Sequence, residues 1–432
     1  MTNSIWTKDV TLPAFSALDG DTKTDVLIVG GGMAGLLLAH KLTMAGIDNL
    51  LIESDTICLG VSRNTTAKIT SQHGLIYSKL AAMFSDEIAK VYYQANQDAL
   101  EQFRLLVKEV PCNFEAQSAY LYTKRPSEDF DTEIKTLQQL SIPFGYTKET
   151  ALPFPVDGAI QFHNQAQFHP LMFAAEIAKK LNIRERTRYL AYDGSDVITN
   201  RGKITAKYIV MATHFPIVNK HGSYFLKMYQ DRSYVVALEG AQALDGMYRD
   251  ADSKGMSFRS FGNHLLLGGG AHRTGKPSSG WKPLYDAAAQ YYPGAQVTHY
   301  WATQDCMTLD HMPYIGRYSK QTPNLFVATG FNKWGMTGSM VAATVLSDVL
   351  ARKEAPYAGI FSPSRSILRK QLLINGVSAV TNLLTPTKPR CPHMGCALKW
   401  NPQEHSWDCP CHGSRFTKDG KLLNNPATGD LP

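Results

Sequence analysis

TDVLIVGGGMAGLLLAHKLTMAGIDNLLIES, residues 24–54, reads as strand, tight turn, helix and strand: an apolar run, a glycine cluster, a helical stretch and a second apolar run. Gly30, Gly32 and Gly35 stand at the junction of the first strand and the helix in the spacing G-x-G-x-x-G. The first glycine permits the tight turn, the second lets a pyrophosphate approach the backbone, and the third lets helix pack closely on strand. Free amides at the helix start hold phosphate oxygens. Glu53 ends the second strand, where a carboxylate accepts from ribose hydroxyls. This βαβ unit predicts an α/β fold with a Rossmann-like dinucleotide domain, and it serves FAD and NAD equally well.

Outward from this unit, Ile88, Tyr92, Ala95, Ala99, Phe103 and Leu106 share one face of a helix expected over about 85–110, with Ser85 as its cap. Short strand-like runs between about 120 and 270 (YLYT, AIQF, YIVMAT, SYVVAL, HLLLGG) predict a mixed-sheet second lobe inserted into the first. GGGAH, residues 268–272, has Arg273 where a third glycine would be needed, so it reads as a strand end and not a second cradle. Electrons are therefore expected from an organic substrate and not from NADH. The last helix of the main domain begins near Gly335. Beyond Glu354 the chain turns Pro- and Ser-rich, and ILRKQLLINGVSAVTNLL reads as an amphipathic helix.

Cysteine usage is lopsided. Cys58, Cys112 and Cys306 are scattered, whereas Cys391, Cys396, Cys409 and Cys411 crowd together. The boxes C-P-H-M-G-C (391–396) and C-P-C-H-G-S (409–414) each supply one thiolate and one imidazole: Cys391 with His393, and Cys409 with His412. Such a set points to metal. On spacing alone, zinc and iron–sulfur both remain open.

Two resemblances narrow these readings. Residues 24–355 resemble the glycine oxidase and D-amino-acid oxidase (DAO) family of FAD-dependent oxidoreductases through GGGMAG (30–35), GVSRNTTAKIT (60–70), AQFHP (166–170), VMATH (210–214), DHMPYIG (310–316) and ATGFNKWGMT (328–337). The resemblance implies FAD, with Ser62, Arg63 and Thr66 along the pyrophosphate loop, Thr213 at a strand end, and Gly330, Gly335, Met336 and Thr337 bringing a helix N-terminus to the flavin pyrimidine. It also implies Lys68, Lys333 and Trp334 as the residues facing flavin and substrate, in an enzyme oxidising a CH–NH or CH–NH2 donor. The two boxes closely resemble the Rieske [2Fe-2S] domain, which implies Cys391 and Cys409 on one iron, His393 and His412 on the other, and a disulfide between Cys396 and Cys411. Ser414 is then placed to donate to a cluster sulfur. The several strands that normally precede the first Rieske box are missing here, which implies a trimmed module leaning on the flavin domain.

The expected organisation is a flavin oxidoreductase over 1–355 (FAD-binding parts about 1–90, 150–225 and 300–355; substrate parts about 91–149 and 226–299), a linker over 356–388, and a small all-β truncated Rieske module over 389–432. Apolar residues make up 44% of the 432, no apolar run reaches membrane-span length, and no secretory leader is visible, so a globular cytoplasmic protein is expected. Net charge is +7, and residues 365–432 carry nine Lys or Arg against four Asp or Glu. A basic tail suits a solvated surface or an acidic redox-partner protein, and lacks the aromatic–basic interleaving of a nucleic-acid binder. The expected partners are a small amine or amino acid and an external electron acceptor. An electron-transfer or redox-sensing protein without amine turnover is the alternative.

Overall fold

The computed structural model describes residues 4–8, 10–366 and 370–432. The strand Thr22–Val29 lies inside an eight-stranded sheet ordered Tyr314–Ser319, Thr322–Thr329, Gly202–Met211, Thr22–Val29, Asn49–Ile52, Ile183–Arg184, with the hairpin Tyr189–Asp193/Asp196–Thr199 added at Gly202–Met211. Both neighbours of Thr22–Val29 run parallel to it, Leu27 standing opposite Leu50 and Ile209. Such a strand is covered on both faces, which is why VLIV is uninterrupted by polar residues. Helix Met33–Met44 follows and packs against helix Gly335–Leu350, both rich in buried residues. A Cβ on Gly35 would stand 2.0 Å from the Gly30 carbonyl oxygen, so the third glycine of the motif is there for helix-on-strand contact.

A nine-stranded sheet forms the second layer, ordered Gln296–Thr308, Met228–Glu239, His264–Arg273, Ser257–Phe261, Gly246–Asp250, Glu115–Thr123, Gly158–Gln167, Lys68–Ile69, with Gly145–Thr147 on Gly158–Gln167. Residues 268–272 lie at the end of its strand His264–Arg273. Helix Asp86–Leu106 packs beside helix Gly335–Leu350; Ser85 Oγ accepts from the Ile88 N–H at 3.2 Å, and Asp86 and Glu87 occupy the positive end.

The C-terminal region is a four-stranded antiparallel sheet, Lys399–Asn401, Ser406–Asp408, Arg415–Thr417 and Leu422–Asn424. Between Ala355 and Pro389 the described residues hold two helices, Ala358–Phe361 and Lys370–Leu384, and no strand. Its own apolar core is small: Leu398, Phe416, Ala427 and the four cysteines 391, 396, 409 and 411. It rests instead on the edge of the nine-stranded sheet. Gln230 Nε2 donates to the His412 carbonyl at 2.7 Å and to that of Asn425 at 3.0 Å, while Gln304 Nε2 donates to the Gly413 carbonyl at 2.8 Å and to Gln230 Oε1 at 2.7 Å. Gly413, at φ +88°, lies so close that a Cβ would meet Gln230 Cβ at 2.6 Å. Arg273 donates to the carbonyls of Pro410 and Cys411. Arg232 and Arg415 share the Glu404 carboxylate, and Arg415 also pairs with Asp408. The architecture is thus the expected Rossmann-like domain with an inserted mixed-sheet domain and a small all-β module. Among the described residues no helix is long and apolar enough to cross a membrane.

Candidate functional site

A cavity of about 480 Å³ runs from the glycine motif, between the two large sheets, to the C-terminal module. At one end the Gly31 N–H donates to Glu53 Oε2 at 2.8 Å, and Ser54 Oγ and the Asp55 N–H donate to Oε1, so the acid closing the second strand is fixed beside the motif. The Met33 N–H at the helix start donates to Ser62 Oγ at 3.0 Å. Gly30, Gly32, Glu53, Ser62, Thr66, Lys68, Thr213, Lys333, Trp334, Gly335 and Met336 all wall the cavity. Four other residues singled out from the sequence do not. Gly35 packs against Gly30, the Arg63 carbonyl accepts from Ser4 Oγ, Gly330 lies against Thr308, and Thr337 Oγ1 donates to the Thr70 carbonyl at 3.2 Å. The cradle fits a dinucleotide: only Ser62 Oγ, at 3.3 Å, lies near where a Gly32 Cβ would stand, so the space over that backbone is open to a ligand.

At the other end the cavity wall gathers charge. Lys68 Nζ donates to the Tyr248 carbonyl at 3.2 Å; burial, with Arg249 and Arg259 nearby, holds its ammonium pKa well below the ordinary lysine value. Arg249 stands 5.6 Å from the Trp334 ring centroid; Asp305 and Asp250 act on it at longer range, and no carboxylate of the described residues is in direct ion-pair contact with it. Trp334 is in turn stacked on His73, centroids 4.5 Å apart. His73 is held by Tyr92 and the Thr70 carbonyl, and burial lowers its pKa to about 3, so it is a neutral support and not a base. Lys333 donates to Ser233 Oγ at 2.9 Å and lies 3.7 Å from Asp305 and 3.9 Å from Asp231, cross-strand neighbours whose carboxyl pKa values burial raises and Lys333 draws back down. Asn332 and Lys333 both have left-handed φ, +50° and +75°. Such backbone costs free energy unless held. Here Asn332 holds it, accepting from the Thr308 N–H and donating to the Gly330 carbonyl.

Sequence reading missed Arg249, Asp231, Asp305, Gln230 and Gln304. None carries a local signal, because each acquires its partner only when distant strands pair.

The module supplies the third wall, with Leu422–Asn425, Ala427 and Thr428 lining the cavity and Asn425 Nδ2 donating to the Thr213 and Phe215 carbonyls. Beside it, His393 and His412 meet edge to face with centroids 4.9 Å apart, and both Nδ1 atoms are buried without a partner. His393 Nε2 lies 2.8 Å from Asn219 Oδ1, an acceptor, so its proton sits on Nε2 and the lone pair on Nδ1. Burial lowers the two imidazoles to about 4 and about 3, leaving neutral rings. The Cys391 and Cys409 thiols are both buried and neighbour each other. Two thiols and two orphan imidazole nitrogens are the donor set of a Rieske cluster. Cys396 and Cys411 are joined as a disulfide, S–S 2.19 Å, which removes them from the ligand set although their sulfurs and that of Cys409 lie within 4.8 Å of one another.

The buried Ser414 hydroxyl accepts from the Ala427 N–H at 3.0 Å and lies near the Cys391 sulfur, to which it is placed to donate. A donor to a cluster sulfur stabilises the reduced, more negative state. Ser414→Ala should lower the cluster midpoint by roughly 20 to 65 mV, the equivalent of about 0.5 to 1.5 kcal/mol for one electron. Voltammetry of both proteins at one pH checks this, and an unchanged midpoint would show that the hydroxyl does not act on the cluster.

Comparison with known proteins agrees with this geometry. The family model for FAD dependent oxidoreductases (DAO) matches residues 25–349, and that for the Rieske [2Fe-2S] domain matches 365–432. A Bacillus subtilis protein named as the Rieske 2Fe-2S iron-sulfur protein YhfW is 35% identical over 99% of this chain and 96% of its own. The cytochrome b6-f complex iron-sulfur subunit 3 of Nostoc is 30% identical over 24% of this chain and 58% of its own. Among solved structures, glycine oxidase from Geobacillus kaustophilus superposes with a TM-score of 0.66 at 20% identity, covering 80% of this chain and 99% of its own. L-proline dehydrogenase from P. horikoshii gives 0.66 at 16% identity, covering 81% and 98%. The glycine cradle walls the cavity and the Cys–His boxes lie beside it, in a chain that belongs to the FAD dependent oxidoreductase (DAO) family, carries a C-terminal Rieske domain, and has FAD and a [2Fe-2S] cluster as its cofactors.

Proposed function

We propose that this protein oxidises a C–N bond of an amino acid or related carboxylated amine and passes the electrons to its own cluster and on to an external acceptor. The observation that carries the substrate reading is Arg249. A cation held over Trp334, facing the cavity beside Lys68 and with no carboxylate of the described residues in direct ion-pair contact, suits a substrate carboxylate. Lys333, between Asp231 and Asp305, is placed to orient the amine end through those acids.

FAD supplies the hydride-accepting chemistry when bound. In this reading the open Gly32 backbone and Ser62 would hold its pyrophosphate, Glu53 its ribose, and the helix start at Gly335 and Met336 its ring. Cys391, Cys409 and the Nδ1 atoms of His393 and His412 ligate the irons. The strand Gln296–Thr308 supports direct passage between the two centres: Thr303 and Asp305 face the cavity, while Gln304 between them turns to the Gly413 carbonyl of the cluster loop. One strand therefore separates flavin site from cluster. We place the division of the chain at 1–355, 356–388 and 389–432, the described residues of the middle segment holding the helices Ala358–Phe361 and Lys370–Leu384.

The test is anaerobic titration of the purified holoprotein with amino acids and with the matching amines that lack the carboxylate. Amino acids should bleach the flavin and amines should not. Arg249→Met should weaken the effective substrate by about 10- to 150-fold, corresponding to roughly 1.5 to 3 kcal/mol for a hydrogen bond to a charged group. A flavin that no member of the panel reduces would favour the electron-transfer or redox-sensing alternative.

A further inference from the structure

Helix Lys370–Leu384 is turned inside out. A helix on a globular surface normally buries its apolar stripe and exposes its polar face. Here the buried positions are polar: Asn375 and Asn382 are 5% and 6% exposed, two turns apart on one face. Asn375 accepts from Arg273 at 2.9 Å and donates to the Leu226 carbonyl, and the Asn382 carbonyl accepts from the Ala397 N–H. The outward positions are aliphatic. Leu373 (73% exposed), Ile374, Val377, Val380 and Leu384 (78%) recur at helical spacing. The helix ends beside the first cluster box, where Arg390 bridges the carbonyls of Leu383, Thr385 and Gly395, and Met394 is exposed.

Charge selects what covers this face. Between Glu354 and Glu404 the sequence has no acidic residue and six basic ones: Arg365, Arg369, Lys370, Lys388, Arg390 and Lys399. Arg365 is paired with Asp310, and the remaining basic residues leave this stretch of sequence with a net positive charge. Two such faces repel each other, so a second copy is a poor partner. The stripe also lacks the aromatic residues that enrich the centres of protein interfaces. An aliphatic stripe within a basic, acid-free stretch of sequence suits an interfacial helix on an anionic bilayer. We propose that this helix seats the protein on an anionic lipid surface, with the edge of the cluster module beside the membrane. The inference is independent of the substrate reading, since vesicle binding needs no turnover.

Flotation of the full-length holoprotein with phosphatidylcholine vesicles, with and without phosphatidylglycerol, tests it. Binding is expected only to vesicles containing phosphatidylglycerol, weakening as salt rises. Leu373→Gln together with Val377→Gln, both solvent-facing, should weaken partition about tenfold or more while leaving FAD content, cluster spectrum and melting temperature unchanged. Absence of wild-type binding to anionic vesicles, or equal binding by the double variant, would overturn the proposal. So would a dimer in light scattering that the double variant dissociates, or an acidic protein partner competing for the same stripe with no vesicle binding.

Discussion

Gly32→Val yields a folded protein that retains no FAD. Of the three motif glycines, two serve the fold: a Cβ at Gly30 would strike the Ala212 carbonyl oxygen at 2.6 Å, and one at Gly35 the Gly30 oxygen at 2.0 Å. Gly32 is different. Its φ and ψ, −80° and −177°, are open to any residue, and a Cβ there meets only Ser62 Oγ at 3.3 Å. A valine at 32 therefore costs the apoprotein little, but its branched side chain fills the space through which a pyrophosphate reaches the backbone. The expected result is near-complete loss of flavin absorbance with a circular dichroism spectrum like that of wild-type apoprotein. Gly35→Ala, the comparison variant, should impair folding itself. Stoichiometric FAD in Gly32→Val would remove the cradle assignment.

The second large effect lies where the module meets the flavin lobe. Glu404 receives Arg232 from the strand Met228–Glu239 and Arg415 from the module, with all three side chains less than 10% exposed. Burial alone would raise the Glu404 pKa, but the two guanidinium groups outweigh it and hold the carboxyl down to about 2. Removing the acid leaves two buried cations with too little countercharge, so Glu404→Ala should destabilise the folded chain by about 3 to 5 kcal/mol. Because the folded-state pKa lies below the unfolded one, the contribution is present in full above the ordinary glutamate pKa. It is lost as pH falls from there toward 2, and amounts to about 3 kcal/mol. Denaturant melts of wild type and Glu404→Gln across this range should converge at the acidic end. Curves that stay parallel would show that the pair contributes nothing to docking the module.

Much of this protein is legible over short stretches. The cradle occupies residues 30–53, and each cluster box lies within six residues, because a tight turn, a helix start or a pair of ligands is set by sterics along a few bonds. The same locality made the buried helix Gly335–Leu350 and the Ser85 cap readable. Lys68, Lys333 and Trp334 were marked by resemblance, yet their neighbours were not. Arg249, Asp231 and Asp305 sit on strands whose period of two says which residues share a face but not which face meets the cavity.

What the sequence by itself determined is therefore the βαβ cradle, the pairing of one cysteine with one histidine in each box, and the presence of an amphipathic helix between the two regions. Only the tertiary structure decided that Gln304 faces the cluster loop while Thr303 and Asp305 face the cavity, that Arg249 meets Trp334, and that the Lys370–Leu384 helix turns Asn375 inward and Leu373 outward. The physical reason is register: a one-residue slip of the strand Gln296–Thr308 would send every side chain to the opposite face. That register is held by pairing across the whole sheet, between residues more than sixty positions apart such as Asp231 and Asp305.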